Sequence, residues 1–304
     1  MNTKTLSFVG NFTFDVHDQS DLYYFVGGPV AVNPDLSLMY MPITGATSFQ
    51  RLFLLAYNYN TSTYYQSPWM YNNGDIAFLY YDPIRKRLFG LRDKSTFTFF
   101  IEEYDLQSLN VTKLYTKQDG EKYAFSFAAC TCFDYNENWI IQVRTRFEGD
   151  TVNAYWIKMD LNLVGQKEDI VTDFHLMPNV NNFLTMTYDI QQTKLILGTW
   201  QHGSIELDVY MFHLDPKESG KFPYRNENLT LLFKTNGENV EMMDSVWNPV
   251  LREVLFIIQT RDDHTLETTN YMLRVEFDTL HILEKSKITD KQLPLFELWE
   301  YFYM

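Results

Sequence analysis

The sequence predicts an all-β protein assembled from repeated four-stranded antiparallel units. Three observations lead there. Aromatic residues make up 17% of the 304-residue chain, with 24 Phe, 21 Tyr and 6 Trp. One motif, an apolar strand closed by Asp or Asn and followed by a turn and a second apolar strand, recurs five times. No segment carries the sustained 3.6-residue apolar period of a helix that could cover a sheet.

Aromatic and β-branched side chains fit a pleated, half-buried surface, so the composition favours strands. Hydrophobic residues at 45% and charged residues at 21% are the proportions of a globular chain, not a disordered one.

The repeat is anchored at Asn33, Asp82, Asp134, Asp189 and Asn248, in steps of 49, 52, 55 and 59 residues. Its copies read Val30-Ala31-Val32-Asn33-Pro34, Phe78-Leu79-Tyr80-Tyr81-Asp82-Pro83, Cys132-Phe133-Asp134, Thr187-Tyr188-Asp189 and Val246-Trp247-Asn248-Pro249. A second apolar strand begins within a few residues of each: Leu38-Met39-Tyr40, Leu88-Phe89-Gly90-Leu91, Trp139-Ile140-Ile141, Leu195-Ile196-Leu197-Gly198 and Val254-Leu255-Phe256-Ile257. An Asp or Asn side chain accepts hydrogen bonds from backbone amides two and three residues on, and Pro presets φ in the turn. Each anchor therefore closes a hairpin between a first and a second strand.

A second set of anchors ends a third strand at Asp105, Asp160, Asp215 and Asp278, which lie 23, 26, 26 and 30 residues after the first anchors, with Asn58 in the matching place of the first unit. More polar fourth strands follow at Val111–Tyr115 and Leu229–Phe233. Four strands per period of about fifty residues is the arithmetic of a propeller blade. One such sheet cannot bury both of its faces, so neighbours must stack.

The termini suggest one further blade. Asp15 reads as a second anchor, Leu22–Val26 as a fourth strand and Leu295–Glu300 as a first strand, Glu300 lying 52 residues after Asn248. A blade shared between the two ends would close a ring and cover exposed strand edges. Six blades are preferred to five on this reading, with residues 1–304 forming a single domain.

These aromatic-Asp-Pro-turn-apolar units resemble those of the broad β-propeller superfamily, over about residues 5–301. WD dipeptides, a kelch double glycine and lactonase-type ligands are not recognisable. The resemblance implies that first strands line an axis and that ligands meet the face carrying the loops from second to third and from fourth to first strands. Asp82, Asp134 and Asp189 fall on the opposite face and read as structural. Fold alone does not transfer a function.

On the ligand-bearing face the second-to-third loops carry Arg92 and Asp93; Arg144 and Arg146; Trp200, Gln201 and His202; and Arg261, Asp262, Asp263 and His264. Arg and His there suit carboxylate, phosphate or sugar hydroxyls, and Trp200 suits stacking on a sugar. Solvated loop tips are also polar for no functional reason. The fourth-to-first lead-ins supply Asp75, Glu121, Asn181, Asn182, Glu241 and Asp244, oxygens that calcium or acid–base chemistry could use.

Net charge is −14, from 25 Lys and Arg against 39 Asp and Glu, which disfavours nucleic acid and anionic lipid as partners. No run approaches the ~18 apolar residues of a membrane span. Cys130 and Cys132 point to one face of a strand and read as small buried hydrophobes rather than a disulfide or metal pair. Four N-glycosylation sequons, at Asn11, Asn60, Asn110 and Asn228, are about as many as chance gives in so Asn- and Thr-rich a chain. The low cysteine content suggests a cytoplasmic protein, the alternative being a secreted one whose signal has been removed. No phosphate loop or nucleophile elbow occurs, and no cofactor is evident beyond possible calcium.

The functional expectation is a module that binds a glycan, an anionic small molecule or a protein on the loop rim. The alternatives are a hydrolase or lyase with a carboxylate or calcium site in a central channel, and a structural subunit of a larger assembly.

Overall fold

A computed structural model describes residues 23–25, 30–45, 51–68, 70–71, 75–95, 98–118, 131–148, 151–164, 171–177, 183–192, 194–200, 205–213, 230–235, 237–248 and 250–288. These residues form twenty-two strands and a single 3-10 turn at Leu161–Leu163. Among the described residues no helix is long and apolar enough to cross a membrane.

The strands make five antiparallel sheets in chain order. The first holds β1 (Tyr23–Phe25), β2 (Ala31–Asn33), β3 (Leu38–Gly45), β4 (Arg51–Asn58), β5 (Thr63–Gln66) and β6 (Met70–Tyr71). The second holds β7 (Asp75–Asp82), β8 (Arg87–Ser95), β9 (Thr98–Tyr104) and β10 (Val111–Gln118). The third holds β11 (Thr131–Asp134), β12 (Trp139–Glu148), β13 (Thr151–Asp160) and β14 (Val171–Met177). The fourth holds β15 (Phe183–Asp189), β16 (Lys194–Trp200), β17 (Glu206–His213) and β18 (Thr230–Lys234). The fifth holds β19 (Asn239–Asn248), β20 (Glu253–Arg261), β21 (Thr268–Glu276) and β22 (Ile282–Ile288). The last four sheets are simple four-stranded meanders.

The first sheet has six strands because two of its four positions are split. β1 and β2 both pair with β3, and β5 and β6 both pair with β4. This corrects the sequence reading of Leu22–Val26 as the fourth strand of a sixth blade: Tyr23–Phe25 pairs with Ile43–Gly45 of the first sheet. The expected closing segments around Asp15 and Leu295–Glu300 lie outside the described residues. Five blades are described.

All five first anchors end a first strand, and the turn geometry is the expected one. The Asp82 carboxylate accepts from the Ile84 and Arg85 amides, both at 3.0 Å. Asp134 accepts from Asn136 and Glu137, Asp189 from Gln191, Asn248 from Val250 and Leu251, and Asn33 from Leu36. The residue four beyond the anchor then takes a positive φ: Ser37, Lys86, Asn138 and Arg252. The same device closes later hairpins at Asn58, Asp105 and Asp262, with Ser62, Leu109 and Leu266 in the left-handed place. Asp160 caps the short turn after β13 through the Asn162 amide.

Asp215 lies outside the described residues, and Asp278 departs from the expected pattern. β21 ends at Glu276, and Leu280, four residues on, has the positive φ. Asp278 instead accepts from Arg252 at 2.9 Å and from Lys194 at 3.0 Å.

The described residues divide into two compact units, one built on Phe12–Asp150 and Ile157–Asp173, the other on Thr151–Trp156 and Phe174–Glu297. In the first unit Tyr40, Leu54, Leu79, Tyr81 and Leu88 are buried in one cluster that joins the first and second sheets. Phe89 meets Phe133 edge-on at 4.5 Å between centroids, and Tyr80 lies 5.0 Å from the same ring. Such offset and edge contacts are the favoured aromatic geometries. The first-hairpin turns are also tied together. Lys86 bonds Asp35, the Arg85 guanidinium donates to the Tyr135 carbonyl at 2.9 Å, and Arg87 donates to the Asn138 side chain.

In the second unit Ile196, Val209, Phe256, Leu273 and Phe277 share one buried cluster between the fourth and fifth sheets. The Ser245 hydroxyl on β19 meets the Thr185 and Thr187 hydroxyls on β15 at 2.8 and 3.1 Å. Arg252 spans the turn side of these sheets, donating to Asp189 at 3.0 Å and lying over the Phe277 and Trp247 rings. Asp82, Asp134 and Asp189 are buried, as turn-closing residues should be.

Candidate functional site

The sequence placed its rim residues on loop tips, and the structure moves several of them into strands. β8 runs to Ser95 and β9 begins at Thr98, so Arg92 and Asp93 lie within the hairpin ladder. Arg92 is 5% exposed and donates to Glu102 at 2.7 Å. The Tyr104 hydroxyl donates to the same carboxylate oxygen at 2.6 Å. Gly90 stands opposite Glu102 across the strands, and a Cβ there would meet the Phe78 carbonyl at 3.1 Å and the Tyr104 ring at 3.3 Å. The missing side chain makes room for this buried group. Burial, and then the Glu102 charge beside it, hold the Tyr104 hydroxyl well above its ordinary pKa. Arg92 is thus a buried ion-pair member and not a rim cation. Its partner was hidden in the sequence because Glu102 lies ten residues on, in what reads as an ordinary third strand.

Arg144 and Arg146 lie in β12 and Trp200 ends β16, so their backbone belongs to ladders; their side chains, like that of Asp93, are outside the described residues. Asp75 pairs with Asp93 in backbone register, which joins one lead-in residue to one expected rim residue. Glu241 occupies the bulge between Val240 and Met242, and Asp244 pairs with Ile257, their side chains again outside the described set. Gln201, His202, Glu121, Asn181, Asn182 and Cys130 are outside it altogether. Cys132 is half-buried rather than buried as expected, and desolvation pushes its thiol well above the ordinary pKa. Among the described residues no three His, Cys, Asp or Glu side chains are grouped as a metal site.

The fifth sheet is where the described residues assemble a corner. β20 and β21 run out to the hairpin 262–267, and the lead-in to β19 comes up beside it. Asn239 is the register partner of Arg261, so the lead-in and the hairpin base are adjacent by backbone pairing alone. The Asn239 amide then donates to the Asp263 carboxylate, which joins the two loops through side chains. Asp262 caps the hairpin, accepting from the His264 and Thr265 amides at 2.8 and 2.9 Å, and these amides, first that of Thr265, hold its carboxyl below the ordinary range.

Glu238, one residue before β19, is the support of this corner. Its carboxylate accepts from the Thr260 hydroxyl and from the Tyr271 hydroxyl at 3.2 Å, with Thr269 at 3.5 Å. Burial first, and the Glu238 charge second, push the Tyr271 hydroxyl upward. Below them Gln259 donates to Asn270 at 3.3 Å, both side chains buried. The polar floor under the corner is therefore tied to the sheet rather than to a mobile loop. Sequence reasoning missed Glu238 and Asn239 because it sought the lead-in acids at 241 and 244. Gly237, with φ +100°, was the available signal: it marks the turn from which Glu238 and Asn239 lead into β19.

Arg261, like the exposed Lys287 on β22, is unlike the ion-paired basic groups of these sheets. Arg252, Lys194, Lys234 and Arg274 all meet carboxylates. Among the described residues the Arg261 guanidinium has no hydrogen-bond or ion-pair partner, although Glu238, Asp262, Asp263 and Glu267 stand on the same corner. The corner thus offers held carboxylate acceptors, a held amide and the Arg261 guanidinium, while His264 lies near enough to Asp262 to help hold that carboxyl down.

No protein-family model matches the chain, and no curated protein matches it. Solved structures do. The crystal structure of TolB from Acinetobacter baumannii is similar over 90% of this chain and 55% of that one, at 14% identity and a TM-score of 0.50. The crystal structure of the polysaccharide lyase Uly1 is similar over 88% of this chain and 73% of that one, at 10% identity and a TM-score of 0.50. The chain has a β-propeller fold. It spans little more than half the length of the TolB chain, and at these identities the likeness is one of fold alone.

Proposed function

We propose that this propeller is a ligand-binding module that holds a glycan at the corner built by Glu238, Asn239, Arg261, Asp263 and His264. The observation that carries the reading is Arg261, a half-buried residue whose guanidinium has no partner among the described residues, beside carboxylates held by Asn239 and Thr260. Sugar hydroxyls both donate and accept, so they suit a corner where carboxylates, an amide and a guanidinium alternate within one hairpin and its neighbour. Arg261 and His264 against four carboxylates also make an anionic small molecule the poorer match, because its charge would be repelled by the surplus of acids. The rigid floor favours binding, since little order has to be created when the ligand arrives.

A glycan array probed with the full chain and with Arg261→Ala tests this. The wild-type protein is expected to retain a restricted set of glycans, and the variant to lose them with its melting temperature within a degree or two. A glycan held equally by both proteins, or no retained glycan, overturns the reading; a protein captured in its place would move the function to protein interaction.

A further inference from the structure

Of the four N-glycosylation sequons, Asn60 and Asn110 lie among the described residues, and Asn11 and Asn228 lie outside them. The two described sequons fall in the same connection of the packed first and second sheets, the hairpin from third to fourth strand. Asn60-Thr61-Ser62 fills the turn between β4 and β5, and Asn110-Val111-Thr112 leads from the turn after β9 into β10. Asn228 lies in the chain between β17 and β18, the same connection of the fourth sheet. Every residue of the two described sequons is exposed, whereas Asn33, Asn138, Asn153 and Asn270 are buried. Thr112 stands at the bulge between Val111 and Lys113, on the outer strand of its sheet. Each sequon also has an apolar side chain next to its asparagine that the fold leaves in water: Tyr59 is 42% exposed and Val111 is 40% exposed. The Tyr59 amide donates to the Ser37 carbonyl at 3.0 Å, which fixes its backbone against the first-anchor turn.

We propose that Asn60 and Asn110 carry N-linked glycans, and that the first sugar of each lays its C–H face on Tyr59 and on Val111. Covering these side chains removes apolar surface from water. The donor is a lipid-linked oligosaccharide diphosphate, used by its transferase in the secretory pathway, so this chain takes the secreted alternative. The asparagine Nδ2 attacks the anomeric carbon of the first sugar. A C–N bond forms and the anomeric C–O bond breaks. The lipid diphosphate leaves with the electron pair, and one proton leaves the amide nitrogen to solvent. The Ser62 and Thr112 hydroxyls complete the signal that the transferase reads. In the folded chain the Asn60 Nδ2 donates to the Ser37 hydroxyl at 2.7 Å, and the Thr112 hydroxyl donates to the Glu103 carbonyl at 3.0 Å. Transfer therefore precedes closure of these hairpins. A glycosylated amide keeps one N–H, so the bond to Ser37 survives it. At Asn110 the glycan also stands beside the outer edge of β10 and obstructs pairing with another chain.

The test is peptide mapping by mass spectrometry of the chain purified from the cells that make it, treated with peptide N-glycosidase in heavy-oxygen water. Asn60 and Asn110 are expected to appear as heavy-oxygen aspartate. Thr112→Ala is expected to lose the Asn110 glycan alone, and Thr112→Ser to keep it. In Asn110→Gln, which leaves Asn60 modified, enzymatic removal of the glycan from the folded protein is expected to lower the melting temperature by a few degrees. Tyr59→Ser in the same background is expected to abolish that drop. Unmodified asparagine at either position overturns the assignment there, and at both overturns the proposal and the secreted reading with it. A glycan on Asn60 whose removal leaves the melting temperature unchanged, or a drop that persists in Tyr59→Ser, overturns the packing on Tyr59 and leaves the modification standing.

Discussion

The turn at Asp82 and the turn at Asp262 follow one local rule and end in different roles. In both, an aspartate accepts from the amides two and three residues on, and a non-glycine residue four places later takes a positive φ. At Asp82 every remaining group is used. The second carboxylate oxygen accepts from Arg85 at 3.2 Å and Arg87 at 3.0 Å, and those guanidiniums go on to the Tyr135 carbonyl and Asn138. Burial works against the Asp82 charge, but the Arg85 amide and the two guanidiniums outweigh it and keep the carboxyl below its ordinary range. At Asp262 the neighbouring Arg261 has no partner among the described residues, and the left-handed residue is an exposed leucine. A repeated hairpin becomes a rivet where its charges are satisfied by the next sheet, and a candidate site where they are left available.

The largest test of that contrast is Asp82→Ala. It removes two turn hydrogen bonds and leaves two guanidiniums without their shared carboxylate, so a loss of about 2–4 kcal/mol is expected in urea unfolding. A loss no greater than that of Asp262→Ala, a residue only half-buried, would erase the distinction. In the fifth sheet Arg252→Met should cost less, about 1–2 kcal/mol, because Arg252 is 30% exposed and its partner Asp278 is 37% exposed. Asp189, 3% exposed on its side chain, would then keep only its turn bonds.

Acid titration sharpens the same point. The Arg252 hydrogen bond, working against partial burial and aided by Lys194, pulls the Asp278 carboxyl down to about 2 from 3.8. A depressed carboxylate contributes stability that is present above the unfolded pKa and lost as pH falls through the folded one, here between about 4 and 2. Asp278→Asn should flatten the unfolding midpoint over that interval relative to wild type; an unchanged slope would show that the ion pair does not form in solution. The smallest effect is expected at Leu266→Asn, a gain of about 0.5–1 kcal/mol from relief of the left-handed leucine. Leu109→Asn, at the same turn position but fully buried, should instead lose about 2–4 kcal/mol.

Much of this arrangement was legible in the chain. The five anchors are strand-ending turn residues because an Asx side chain bonds its own local backbone, an interaction fixed by sequence separation of two and three residues. The strand count per repeat, all five second strands and the fourth strands of the second and fourth sheets follow from the same punctuation. The candidate site was legible only in part. Arg261 ends β20 and Asp263 and His264 lie in the hairpin after it, as residues that directly follow an apolar run. Arg92 follows one as well, yet it is buried.

What separates Arg92 from Arg261 is who stands across the ladder. Arg92 finds Glu102 opposite the side-chain-free Gly90, whereas Arg261 is paired with Asn239, whose amide goes to Asp263. Local hydrogen-bonding chemistry is written in neighbouring residues, so the sequence alone determined the turns, the strands and the repeated sheet. Which charges are consumed and which stay available depends on residues ten to thirty positions apart meeting across strands, and on Glu238 reaching Thr260 and Tyr271 from another loop. Those encounters exist only once the sheets have formed, which is why tertiary structure decided the site.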